Sequence, residues 1–234
     1  MESGLIQGAA LLHGAARAQE LFAQNLANAS TPGYRRQLVR FESFEARLRE
    51  LQGGPSIVPG SLPAIDFSQG PANPTASPTD LALDGPGFFV VQTPDGPRYT
   101  RAGVFTMDGT GRLVTADGFP VLGESGPITI RGPVEGMTVS ATGVVNAGGK
   151  RIDRLRLLGF SDPRVLEPAG ATLFRAREGT VEEASTARVR QGFREGSNVS
   201  AVEELAVMLV NLRLHEAATQ ALEVTRRAGE RLLA

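Results

Sequence analysis

The sequence predicts a mixed α and β protein, with one long helix at each end and an all-β central domain of antiparallel hairpins. Apolar residues recur at steps of three and four only over residues 4–29 and 200–234, which is the period of a helix with buried faces. Between these stretches Asp-Gly recurs at Asp84, Asp95, Asp108 and Asp117, each flanked by short apolar or alternating runs. Asp-Gly supplies the positive φ that tight hairpin turns require. With 28 glycines and 15 prolines in 234 residues, much of the chain is turn.

The first helix covers residues 4–29. Leu11, Ala15, Ala18, Phe22, Asn25 and Ala29 form one heptad-spaced seam. Leu5, Ala9, Leu12, Ala16, Gln19, Ala23 and Leu26 form a second about 100° away. Only His13, Arg17, Glu20 and Gln24 make a consistent polar stripe, so most of the circumference seeks a neighbour. The helix must stop by Pro32 and Gly33, since proline lacks an amide and disfavours helix in the residue before it. Ala16, Arg17 and Ala18 imitate a signal-peptidase site. However, Glu2 precedes them with no basic residue, and Gln7, Gly8 and His13 dilute the apolar run, so no cleaved signal is expected. No stretch reaches the roughly 20 apolar residues of a membrane span.

Residues 34–80 read as an extended connector, anchored by Phe41 and Phe44 and punctuated by glycine and proline. The β domain follows over 81–192, with strands expected at 88–92, 98–106, 112–115, 127–131, 138–141, 144–146, 152–160, 166–174 and 186–192 in an antiparallel meander.

The last helix occupies the C-terminal region, 193–234. Ser200 with Glu203 forms a capping box. One seam runs Ala201, Leu205, Met208, Leu212, His215, Thr219, Leu222; a second runs Val207, Val210, Leu214, Ala217, Ala221, Val224, Ala228. Their offset of two residues, about 200°, makes them face nearly opposite ways. A polar, mostly charged stripe runs Arg213, Glu216, Gln220, Glu223, Arg227 and Glu230. Such a helix cannot be buried against one neighbour, and the all-β middle offers no helices to surround it.

Net charge is −1, with acids interspersed among the arginines, so a nucleic-acid partner is not expected. Zero cysteine excludes disulfides, zinc-thiolate sites and thiol catalysis. The Asp108 loop begins like a calcium loop but lacks the later carboxylates. Gly85-Pro86-Gly87 is too short for a phosphate loop, and His13 and His215 lie among alanines and leucines. No catalytic, cofactor-binding or metal-binding residue is therefore assigned, and no cofactor. Two readings from other classes remain open: a β-domain carbohydrate-active enzyme using Asp95 and Asp117, and a cytosolic adaptor binding through its helices.

Three motifs bring a resemblance. Asn25 to Tyr34 (NLANASTPGY), Thr75 to Phe89 (TASPTDLALDGPGFF, with Thr79 where leucine is usual) and Glu195 to Val199 (EGSNV) resemble, in order, the signatures of the flagellar basal-body rod and hook family. The length is more like a rod protein than the longer hook protein, and most like a proximal-rod protein next to the distal rod; a distal-rod or hook-type protein is the alternative. The resemblance implies that the terminal helices pair as a coiled coil and assemble with other copies and neighbouring rod proteins around an export channel. It also implies passage through the flagellar type III export apparatus to a rod crossing the periplasm, without membrane insertion, and a role in motility. The assembly interface is expected at Leu11, Ala18, Phe22, Asn25, Leu26, Asn28, Leu205, Met208, Val210, Leu212, Leu214 and Leu222. Asn25, an amide on an apolar seam, is expected to fix register, and Asn28 the exit of the chain.

Overall fold

The computed structural model describes residues 2–38, 64–132 and 136–233, with side chains for 12, 14–38, 64–132, 136–220, 223 and 224. In chain order come α1 (Glu2–Ala27), β1 (Gln37–Leu38), β2 (Ala64–Ile65), β3 (Ala72–Pro74), β4 (Leu81–Asp84), β5 (Phe88–Thr93), β6 (Gly96–Thr100), β7 (Thr106–Met107), β8 (Leu113–Val114) and β9 (Met137–Val139). Then follow β10 (Val144–Ala147), β11 (Lys150–Arg154), β12 (Leu157–Gly159), β13 (Leu166–Pro168), β14 (Leu173–Ala176), β15 (Glu183–Ala184), β16 (Arg188–Gln191), β17 (Phe193–Glu195) and α2 (Ala201–Leu233). The anchors expected at Phe41 and Phe44 lie outside the described residues. The described residues fall into two units: Met1–Ala29, Gln37–Asp66 and Val199–Ala234 in one, Ser30–Arg36 and Phe67–Asn198 in the other.

In the helical unit, α1 is rich in alanine and meets no proline until residue 32. It ends where the Gln24 carbonyl accepts from both the backbone amide and the side chain of Asn28, at 3.2 and 2.9 Å, which fastens the last turn. At the start of α2 the Ser200 hydroxyl accepts from the Glu203 amide at 3.4 Å, and Glu203 and Glu204 sit in the first turn, where the helix dipole favours acids.

The coiled coil expected between the terminal helices is not formed. Knobs-into-holes pairing buries the apolar seam residues, yet Leu205 and Leu212 of one α2 seam are 47% and 45% exposed, and Val210 and Leu214 of the other 70% and 46%. Among the described side chains of α2, the buried ones are instead Glu204, Asn211 and Ala218. Asn211 Nδ2 donates to the Ala15 carbonyl (2.9 Å) and to Gln19 Oε1 (3.0 Å). Alanines at 15 and 18 leave the α1 backbone open to a polar side chain, and two seams on opposed faces cannot both meet one partner.

The second unit is β-rich, as expected, and antiparallel throughout. Its largest sheet has the order β13-β14-β6-β5-β12-β15. The three-stranded sheet β11-β10-β9 and the pairs β16-β4, β17-β3 and β7-β8 complete it. A simple meander is not what forms: β3, β4 and β5 close with strands from the far end of the unit. The runs expected at 98–106, 152–160 and 166–174 are each split in two, and 127–131 makes only isolated bridges. Turn chemistry holds at Asp95, where Pro94 and Asp95 join the paired Thr93 and Gly96 and Gly96 has φ +104°. At Asp108 it shifts: the left-handed residue is Gly111, and the Asp108 carboxylate accepts from the Thr110 and Arg112 amides at 2.8 and 2.9 Å.

Phe88 and Phe89, adjacent on β5, point to opposite faces of the sheet. Phe89 enters the main core with Leu81, Phe105, Leu113, Ile128 and Val145, meeting Phe105 edge-on at 5.2 Å. Phe88 joins Phe67, Phe160 and Phe174 on the other side. Burial of each such side chain contributes about 1.5–3 kcal/mol, so the unit carries a core of its own.

Candidate functional site

The three motifs, far apart in sequence, each contribute to one buried cluster of the β unit centred on Glu195. Its carboxylate is fully buried. Oε1 accepts from Arg35 Nη2 and from the Gly70 amide at 3.0 Å, and Oε2 from Arg101 Nη1 at 3.3 Å. Arg101 also donates to the Gly85 carbonyl at 2.7 Å and lies over the Phe88 ring. The Glu195 carbonyl accepts from the Gly33 amide at 2.9 Å. Three residues on, Asn198 Oδ1 accepts from the Arg36 amide at 2.7 Å, and its Nδ2 donates to the Ser68 carbonyl at 3.2 Å. The segments 30–36, 68–70 and 195–198 are thus joined side by side.

Glycines permit this crossing. A Cβ on Gly33 would lie 2.2 Å from the Ala102 nitrogen, and one on Gly70 2.3 Å from the Gly196 oxygen. Burial lowers the pKa of the Arg101 guanidinium, while the Glu195 carboxylate pulls it back up and Arg35 pushes it further down. Two guanidiniums share one carboxylate, and Arg35 Nε has no hydrogen-bond partner. Desolvating such ions costs several kcal/mol each, so the cluster is held by the fit around it. Sequence reasoning quoted Glu195 as part of a motif and overlooked Arg35 and Arg101; the usable signal was an acid placed outside any helix at the head of the third motif.

In the helical unit Asn25 is fully buried. Its Oδ1 accepts from the Gln37 amide at 2.9 Å and its Nδ2 donates to the Gln37 carbonyl at 2.8 Å, as a neighbouring strand would. The same Nδ2 reaches Glu204 Oε2 at 3.3 Å. Of the other expected interface residues, Ala18 and Phe22 are buried, Leu26, Asn28 and Met208 half-buried, and Leu205, Val210, Leu212 and Leu214 exposed. Leu11 and Leu222 lie on the helices, with side chains outside those described. Exposed Val202 and Leu209 extend the apolar surface of α2.

Elsewhere, a groove of about 550 Å³ runs between Arg154–Leu158 and Ala184–Arg188. Beside it Glu182 accepts from the Tyr99 hydroxyl and, at 3.1 Å, from Arg156; burial first and Glu182 second push the Tyr99 pKa up. Asp95 and Asp117 are exposed in separate turns and do not line the groove.

Residues 82–147 match the family described as Flagellar hook protein FlgE/F/G D1 domain, and residues 190–228 the one described as Flagellar basal body rod FlgEFG protein C-terminal. The fold with these two regions is thus that of the flagellar hook and rod class. The chain is 35% identical to the flagellar basal-body rod protein FlgF of Caulobacter vibrioides over 225 residues, covering 92% of both chains. It is 36% identical to FlgF of Escherichia coli, covering 85% of this chain and 84% of the relative. With FlgG of Bacillus subtilis the identity is 30%, over 83% and 84%. The chain belongs to the flagellar basal-body rod protein family, and is a structural subunit of the rod in the flagellar basal body. Membership implies assembly with other rod proteins. Among the described residues no helix is long and apolar enough to cross a membrane.

Proposed function

We propose that this subunit builds the rod through its terminal helices, binding other copies of itself and neighbouring rod proteins, and that it is not an enzyme. The observation that carries this reading is the surface of α2, where Val202, Leu205, Leu209, Val210, Leu212 and Leu214 are all exposed. That much apolar surface on one helix marks an interaction site. Leu11, Leu26, Met208 and Leu222 belong to the same proposed interface, to which Ala18 and Phe22, buried within the chain, contribute packing and not exposed surface. In this reading 1–33 and 193–234 form the axial core lining an export channel, 34–80 the connector, and 81–192 the β domain. The chain travels through the flagellar type III apparatus without a cleaved signal, and motility depends on it. The rod position next to the distal rod is proposed from the length of the chain, which has no large central insertion.

Deletion of residues 199–234 tests the proposal while leaving Glu195 and Asn198 in place. The product should be β-rich by circular dichroism and monomeric by sedimentation under conditions where the full chain assembles. Assembly of the shortened chain to the same extent would move the interface to the β unit.

A further inference from the structure

We infer that the Glu195 cluster is a clasp that carries tension between the two ends of the chain past the β-sheets. The inference rests on the proposal that the terminal helices join subunits, because only then does load enter through them. From α1 the chain passes through residues 30–36 of the β unit, leaves for residues 37–66, and returns at Phe67. It finally leaves at Asn198, on the way to α2. Covalently, the path from residue 36 to residue 195 runs through that excursion and then through every strand from β3 to β17.

The clasp shortens this path. Gly33 donates to the Glu195 carbonyl, Arg35 to the Glu195 carboxylate and Arg36 to Asn198, so tension on 30–36 passes straight to 195–198. No sheet hydrogen bond lies on that route. The contacts are loaded together, so they must fail together rather than one after another, and one of them, Arg35 to the Glu195 carboxylate, joins charged partners, the stronger class of hydrogen bond. Among the described residues, the excursion is otherwise closed by the two-residue β1–β2 ladder and by the Asn25 side chain, which holds the Gln37 amide and carbonyl. Beyond these the load falls on β17–β3 and β16–β4, the pairs nearest the exit. Arg101 and Gly70 fix the carboxylate from the sheet side, so that Glu195 is held from behind as it is pulled.

The absence of cysteine allows handles to be attached at cysteines added to the two termini of the full chain, which is then stretched as a single molecule in an optical trap. The wild-type chain should release about 30 residues, roughly 10 nm of extended backbone, in a discrete step that precedes the opening of the β unit. In Glu195→Gln that step should occur on the order of ten times faster at the same force, the effect of weakening one charged hydrogen bond. Val145→Ala, a core truncation remote from the clasp, should lower the melting temperature yet leave the first step unchanged. A first step that is missing from the wild type, or equally fast in Glu195→Gln, would overturn the clasp. Neither result depends on rod assembly, so loss of the assembly reading through the 199–234 deletion is a separate outcome.

Discussion

Replacing Asn25 with leucine removes at least three hydrogen bonds and puts a bulkier apolar side chain with the same number of heavy atoms in the amide's place. Two of them belong to the Gln37 peptide, at 2.9 and 2.8 Å, and the third, at 3.3 Å, to the buried Glu204 carboxylate. An unsatisfied buried polar group costs about 1–3 kcal/mol. Gln37 is half-buried, so water can recover part of that for its amide and carbonyl; Glu204 is fully buried. Set against roughly 1 kcal/mol from the added apolar burial, the net loss should be about 1–3 kcal/mol. Urea denaturation of the full chain measures the total, and amide exchange at Gln37 locates it, with protection expected to fall at least about tenfold. Asn25→Asp keeps the acceptor for the Gln37 amide but sets a second carboxylate against Glu204, and should lose more. An unmoved urea midpoint with Gln37 still protected in Asn25→Leu would refute the reasoning, since it would make the amide a bystander on an apolar seam.

On the opposed faces of α2, Val210→Asp and Leu212→Asp should each weaken assembly, measured by sedimentation. Both should leave the melting temperature of the monomer nearly unmoved, because neither side chain is buried within the chain. Loss from only one of them would reduce the helix to a single interface. At the β13–β14 edge, Arg177 first and Arg175 second hold the Glu167 carboxylate pKa below its usual value. A depressed folded-state pKa contributes stability above the unfolded value, near 4.3, and that contribution is lost as pH falls through the folded one. Glu167→Gln should accordingly flatten the acid side of the stability curve below about pH 4; the same acid slope in both proteins would exclude the pair.

What could be read from the sequence was local. The two helices, the turn at Asp95-Gly96 and most strands of the middle follow from period and turn chemistry, which act over a few residues. The pairings β3–β17 and β4–β16 could not be read, because any antiparallel strand of suitable length would satisfy those edges; selection comes from Glu195, Gly70 and Gly33 meeting in space. Asp108 shows the limit of the turn rule: its carboxylate holds the loop by accepting from Thr110 and Arg112, so the left-handed residue moves to Gly111. The α2 seams were legible as apolar stripes that one neighbour cannot cover; the pairing of the two helices as a coiled coil came from the family resemblance and not from the seams. Glu204 and Asn211, which are buried together with Ala218, carry no apolar signal at all.

That inversion, polar residues inside and leucine and valine outside, bears on when α2 is stabilised. Folding of the single chain leaves seven large apolar side chains from Val202 to Leu214 between roughly two-fifths and four-fifths exposed. Covering them would contribute on the order of 5–10 kcal/mol, whereas association itself costs at least about 4 kcal/mol in lost freedom. Residues on a single face supply only part of that gain, too little to hold a stray pair of subunits together firmly. Engagement on opposite faces recovers the whole of it while each further neighbour adds contacts to a helix already fixed. On the proposed reading, the apolar surface therefore favours growth at a site where several neighbours are in place, and the β unit, stabilised by its own core, does not have to wait for them.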